Sequence, residues 1–114
     1  IEKNNLLEAP AVLIGTPGRI AFHLRGNNFD KNTVTTLVLD EFDKALEFGF
    51  TQDMSFIIGQ LNSVRQRILT SATAMGDLPE FTGIKKYEEI NFLSEQKIKP
   101  AIKLKKINKF QIRK

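Results

Sequence analysis

The chain has 114 residues, of which 41% are hydrophobic and 26% charged; its formal net charge is +4 and it contains no cysteine. The length suffices for one domain with one modest core, and the composition is that of a globular protein. Absent cysteine excludes disulfides and thiolate metal sites, and no apolar run approaches the roughly 20 residues that span a bilayer.

No membrane partner is expected, and the N-terminus carries no signal-peptide pattern. A chain that opens on Ile1 is expected to be an internal piece of a longer product or a processed form. The lack of thiols fits a reducing compartment, and the expected location is cytoplasmic. The net charge hides an asymmetry. Residues 94–114 hold eight basic residues and one acid, a net +7, whereas residues 1–93 hold nine basic and twelve acidic residues, a net −3. The basic balance belongs to the tail, which reads either as a solvated linker or as a nonspecific phosphate-binding segment.

The first apolar run is "AVLIGT", Ala11 to Thr16. It lacks polar alternation, as expected of a strand buried on both faces. Pro17 then suits a helix start, and "GRIAFHLRG" runs from there to a stop at Gly26. The single histidine, His23, lies on this helix and reads as structural. Asn4-Asn5 and Asn27-Asn28 read as turns. "TLVLD", Thr36 to Asp40, is the second predicted strand, and three carboxylates (Asp40, Glu41, Asp43) crowd its end. Acids favour the first turn of a helix, so the cluster reads as a solvated helix start or as a metal site.

"TQDMSFIIGQL" places Met54, Ile57, Ile58 and Leu61 at helical spacing, with Thr51 as the cap and Gly59 as a weak point. "RILTS", Arg67 to Ser71, is the third strand; "MGDLPEFTG" reads as a short helical turn or loop; and "YEEINF", Tyr87 to Phe92, is a closing strand. Beyond Ser94 the character changes. "IKPAIKLK" alternates apolar and cationic residues, and Pro100 keeps it from a sheet interior. The expected organisation is a domain over 1–93 and a basic tail or interdomain linker over 94–114.

Strand, helix, strand, helix, strand is the pattern of parallel βαβ units, an α/β fold. Each of the first three strands ends in a polar group: "TPGR" (Thr16, Pro17, Gly18, Arg19), "DEFD" (Asp40 to Asp43) and "SAT" (Ser71, Ala72, Thr73). A parallel sheet brings its carboxyl ends to one edge, where open α/β sheets bind ligands. An acid at the end of a hydrophobic strand suits Mg²⁺ in phosphoryl transfer, because that ion keeps most of its waters and needs one or two carboxylates. A second acid beside it can orient or deprotonate the attacking water.

The order "TPGR", "VLDEFDKALEFGF", "RQRILTSAT" resembles the DEAD-box (DExD-box) family of ATP-dependent RNA helicases over about Ala11 to Thr73, and "YEEINF" resembles the closing strand of that family's first RecA-like domain. The resemblance implies a partial RecA-like P-loop NTPase domain, a parallel sheet with flanking helices, with ATP and Mg²⁺ as cofactors and RNA as partner. It implies that Asp40 binds Mg²⁺ largely through water, that Glu41 is the general base, and that Asp43 hydrogen-bonds to Ser71 and Thr73, coupling nucleotide state to strand separation. Thr16, Pro17, Gly18 and Arg19 would lie on the RNA sugar-phosphate backbone. Phe42 stands where the core family has alanine, and reads as core packing.

The 114 residues contain no G-x-x-x-x-G-K-[ST] loop. The resemblance places the second RecA-like domain, with its arginine fingers, elsewhere in the same parent chain. The isolated segment is therefore expected to be inactive as an ATPase; the alternative is a truncated, non-catalytic RNA-binding module. In the family the Walker A strand lies beside the strand ending in "SAT", so the expected order is "AVLIGT", "TLVLD", "RILTS" with an open edge. Three responses answer that edge: "YEEINF" moves inward, "IKPAIKLK" pairs there, or two chains dimerise edge to edge. The first is expected, since it needs no second chain.

Overall fold

The helix predicted after "TPGR" forms with the expected start. The Thr16 Oγ1 accepts from the Arg19 backbone N–H at 3.4 Å, and Pro17, with no N–H to leave unpaired, occupies the first turn. The computed structural model describes residues 2–92 and 109–113. After a short α1 (Glu2–Asn5), α2 spans Pro17–Arg25 and ends at Gly26. β1 is Thr36–Leu39, α3 Phe42–Glu47, α4 Thr51–Gln60 and β2 Gln66–Thr70. A 3₁₀ turn at Glu80–Thr82, inside the predicted "MGDLPEFTG" loop, leads to β3 (Glu88–Asn91), and β4 is Lys109–Arg113. Thr51 is the first residue of α4 rather than its cap, and Asn4-Asn5 closes α1 rather than forming a turn.

The molecule is an α/β sheet flanked by helices. β1 and β2 pair in parallel with Leu37 opposite Arg67 and Leu39 opposite Leu69. Leu37, Leu39 and Leu69 lie on the face that α2, α3 and α4 cover. Ala21 and Leu24 of α2 meet Ile57 of α4 and the adjacent Leu61, with Leu37 beneath. Phe42 and Met54 meet Leu69 and Ile84, with Leu39 beneath. The helical spacing of Met54, Ile57 and Ile58 therefore buries one stripe of α4, as the sequence predicts. On α4 Gly59 is exposed, and a Cβ there would meet nothing within 4 Å. Gly59→Ala is therefore expected to stabilise the fold by about 0.5–1 kcal/mol, the helix-propensity difference. A urea titration checks this; an unchanged or lowered midpoint contradicts it.

Three expectations need correction. The run 11–16 is not a strand. Val12 is 72% and Ile14 89% exposed, and β1 ends the sheet order with no partner on its outer side among the described residues. A strand requires a hydrogen-bonded neighbour, and an apolar run alone does not provide one. The strands are not buried on both faces: Val38 points away from the helices and is 54% exposed.

The sheet order also differs, being β1-β2-β4-β3. "YEEINF" does not pair with "RILTS". Residues 109–113, within the stretch expected as tail or linker, lie between them and run antiparallel to both, with Leu69 opposite Gln111 and Gln111 opposite Glu89. The reason lies in the approach to β3. Met75, Leu78, Phe81, Ile84 and Tyr87 pack over Phe42 and Met54, so the chain spends its length covering the core. It enters β3 one strand beyond β2, and β4 satisfies the open edge. The alternative pairing segment "IKPAIKLK" lies outside the described residues.

Candidate active site

Parallel pairing brings the ends of β1 and β2 side by side, so "DEFD" and "SAT" meet. Leu39 is opposite Leu69, which puts Asp40 next to Thr70. The Thr70 hydroxyl donates to Asp40 Oδ1 and accepts from the Glu41 backbone N–H at 2.9 Å. One hydroxyl thus ties the two adjacent acids to the neighbouring strand. The chain then turns sharply: Glu41 is left-handed, with φ 50° and ψ 48°, and precedes α3 without a side-chain cap. For a residue with a Cβ this conformation costs on the order of 1–3 kcal/mol, and such strain collects at functional sites.

One residue on, Phe42 is fully buried, which sends Glu41 and Asp43 to either side of an anchored ring. The Thr73 hydroxyl donates to Asp43 Oδ2 at 3.2 Å. Ser71 does not reach Asp43. Its Oγ donates to the Thr73 carbonyl at 2.8 Å and accepts from the Thr73 N–H at 3.2 Å, which shapes the turn that presents Thr73. Asp43 Oδ1 is buried and has no hydrogen-bond partner among the described residues. Leaving a buried acceptor unmade costs about 1–3 kcal/mol, so this oxygen is a ready acceptor for an incoming donor.

"TPGR" sits differently from the expectation. It opens α2, which packs on α4, rather than ending a paired strand. A Cβ at Gly18 would lie 3.7 Å from Asp53 Oδ2, so α4 backs the turn closely. His23 is buried and accepts from Asn28 Nδ2 through Nδ1 at 2.9 Å, a structural role.

A profile described as DEAD/DEAH box helicase matches residues 1–81. The chain belongs to the DEAD/DEAH box helicase family. This helicase-family chain is 34% identical over 106 residues to the ATP-dependent rRNA helicase RRP3 of Encephalitozoon cuniculi, covering 90% of this chain and 26% of that protein. It is 41% identical over 66 residues to the ATP-dependent RNA helicase SrmB of Escherichia coli, covering 58% of this chain and 15% of the relative. With the ATP-dependent RNA helicase DeaD of Escherichia coli it shares 32% identity over 104 residues, 90% of this chain and 16% of the relative. It therefore spans about a quarter or less of these relatives' lengths. No solved structure matches it.

In this helicase-family site Thr70 is the residue that motif reading missed. Its signal was the register: with β1 and β2 parallel and in step, the residue after Leu69 must sit beside the first acid. Thr70→Val is expected to destabilise the chain by about 0.5–1.5 kcal/mol, since it removes a donor and an acceptor while keeping the shape. Thr70→Ser should recover most of the loss. Urea denaturation of both variants checks this, and equal stability of Val and Thr contradicts it.

The donor set also bears on Mg²⁺. Asp40 and Glu41 are exposed, hard-oxygen carboxylates at a strand end, which fits an ion held by one or two acids and mostly by water and phosphate. Among the described residues no group of three His, Cys, Asp or Glu is close enough to enclose a metal.

Proposed function

We propose that this segment supplies the hydrolytic acids and part of the RNA contact of an ATP-dependent RNA helicase that couples Mg-ATP hydrolysis to RNA strand separation. The observation that carries the reading is the lock between strand ends: Asp40 and Glu41 tied through Thr70, and Asp43 tied to Thr73. When bound, Mg²⁺ would supply charge neutralisation at the phosphates. Asp40 would hold it largely through water. Glu41, exposed beside Asp40, would accept the proton of the attacking water. Asp43 and Thr73 form one hinge contact between α3 and the "SAT" turn, with the Asp43 Oδ1 acceptor in reserve. A donor arriving at that oxygen would couple the hydrolytic site to the turn after β2.

The Thr16, Pro17, Gly18 and Arg19 turn would take the sugar-phosphate backbone, which positions RNA without reading sequence. ATP itself would be held mainly outside these 114 residues, by a Walker A loop and a second RecA-like domain of the parent chain, in the cytoplasm. The isolated chain is therefore expected to release no phosphate from ATP, even with RNA and Mg²⁺. It is expected to bind RNA weakly and without sequence preference. Affinity should fall with salt at a slope of about −0.7 per phosphate contacted, and Arg19→Ala should make the slope shallower. Anisotropy titrations over a salt series test this. Sequence-selective, salt-insensitive binding, or Glu41-dependent phosphate release by the isolated chain, contradicts it.

A further inference from the structure

On α2, Ala21 and Leu24 meet Ile57 and Leu61 in the core, whereas Phe22 is 44% exposed. Its ring is engaged with charge instead. The Arg19 guanidinium, one helical turn back, lies over it, 4.6 Å from the centroid. The Lys3 ammonium from α1 approaches the same ring at 5.7 Å, and His23 meets it edge-on at 5.2 Å. Both cations are within the roughly 6 Å over which a ring's quadrupole attracts positive charge. Residues three apart are neighbours on a helix surface, so the spacing on α2 itself sets the Arg19–Phe22 contact.

We propose that Phe22 is a positioning residue for the RNA-backbone contact: its ring holds the Arg19 side chain in place for a phosphate and does not itself touch the RNA. This rests on the reading of "TPGR" as an RNA contact and deepens it. Arginine is among the side chains with the most rotamer freedom, and a phosphate contact must freeze that freedom. A neighbour that already restrains the side chain lowers the cost of binding. An aromatic ring suits that task. A carboxylate partner would cancel the charge and take the N–H donors that a phosphate needs, whereas a ring attracts the cation and leaves its charge in place. The Lys3 ammonium brings a second positive charge to the same ring, and two like charges held together favour an anion beside them. Arg19 follows Gly18 in the first turn of α2, so the restrained group belongs to the turn proposed to take the backbone.

The test is a double-mutant cycle on the full 114-residue chain. The unaltered chain, Arg19→Ala, Phe22→Leu and the double variant are each titrated with a labelled single-stranded RNA oligonucleotide at low salt, read by fluorescence anisotropy. Phe22→Leu should weaken binding about two- to fivefold, the worth of an exposed cation–ring contact, and should have no effect once Arg19 is alanine. Phe22→Tyr keeps the ring and should bind as the unaltered chain does. Phe22 is partly exposed, so its variants are expected to fold, and circular dichroism checks that they do; Phe22→Met takes the place of Phe22→Leu if leucine disturbs the helix.

If Phe22→Leu binds as the unaltered chain does while Arg19→Ala is weaker, the positioning role is overturned and the RNA reading of "TPGR" stands. If Phe22→Leu costs the same with and without Arg19, the ring acts independently of the arginine, and the role is again overturned. A Phe22→Tyr chain as weak as Phe22→Leu also overturns it, since the ring is then not what matters. If Arg19→Ala leaves binding unchanged, or the unaltered chain binds no RNA, both readings fall.

Discussion

Replacing Phe42 by alanine is expected to destabilise the fold by about 3–5 kcal/mol, the range for emptying a buried aromatic site. The ring is 0% exposed and packs against Met54, Leu69 and Ile84, which belong to α4, β2 and the segment before β3. Its centroid lies 6.1 Å from that of Phe81 at a tilt of 40°, an aromatic pair that adds about 0.5–1.5 kcal/mol to the burial. A domain's whole stability is about 5–15 kcal/mol, so this one side chain decides a large share of it. The position matters twice. Phe42 lies between Glu41 and Asp43, and its anchoring fixes where both acids leave the chain. The variant should therefore also disorder the Thr73–Asp43 contact. Phe48, six residues on and 69% exposed, provides the control: Phe48→Ala should change stability by about 0.5 kcal/mol or less. Urea titrations of both variants give the comparison. A Phe42→Ala loss below about 1 kcal/mol, or a loss matching that of Phe48→Ala, contradicts this packing role.

Local chemistry made much of this legible. The limits of α2 were written in Thr16, Pro17 and Gly26, and the buried stripe of α4 in Met54, Ile57 and Ile58, because caps and helical period depend on residues near in sequence. β1 and β2 were legible as apolar runs. "AVLIGT" is just as apolar, yet it forms no strand, since a strand exists through a neighbour and its own sequence does not specify one. β4 was illegible for the same reason. Nothing in "KFQIR" marks it as the partner of Leu69 and Glu89 more than "IKPAIKLK" does. The site was partly legible. The acids were legible at the end of an apolar run and the Thr73–Asp43 contact was implied by the family resemblance, whereas Thr70 appears only once the β1–β2 register is known, and Ser71 turns onto its own loop.

If the segment works as proposed within a longer helicase, Glu41→Gln there is expected to lower RNA-stimulated ATP turnover by about 10²–10⁴-fold, the worth of a positioned general base. The amide keeps the size of the side chain and its place after Asp40. The Thr70 hydroxyl would still accept from the backbone N–H, because that bond does not involve the side chain. ATP binding should therefore survive while the chemical step fails. The direct measurement is phosphate release at saturating ATP and RNA, set beside an ATP-binding titration of the same variant. Lost turnover with retained ATP affinity is the result predicted. Turnover unchanged by Glu41→Gln, or lost only in proportion to ATP binding, would contradict the claim that the strand-end acids of this chain form the hydrolytic site.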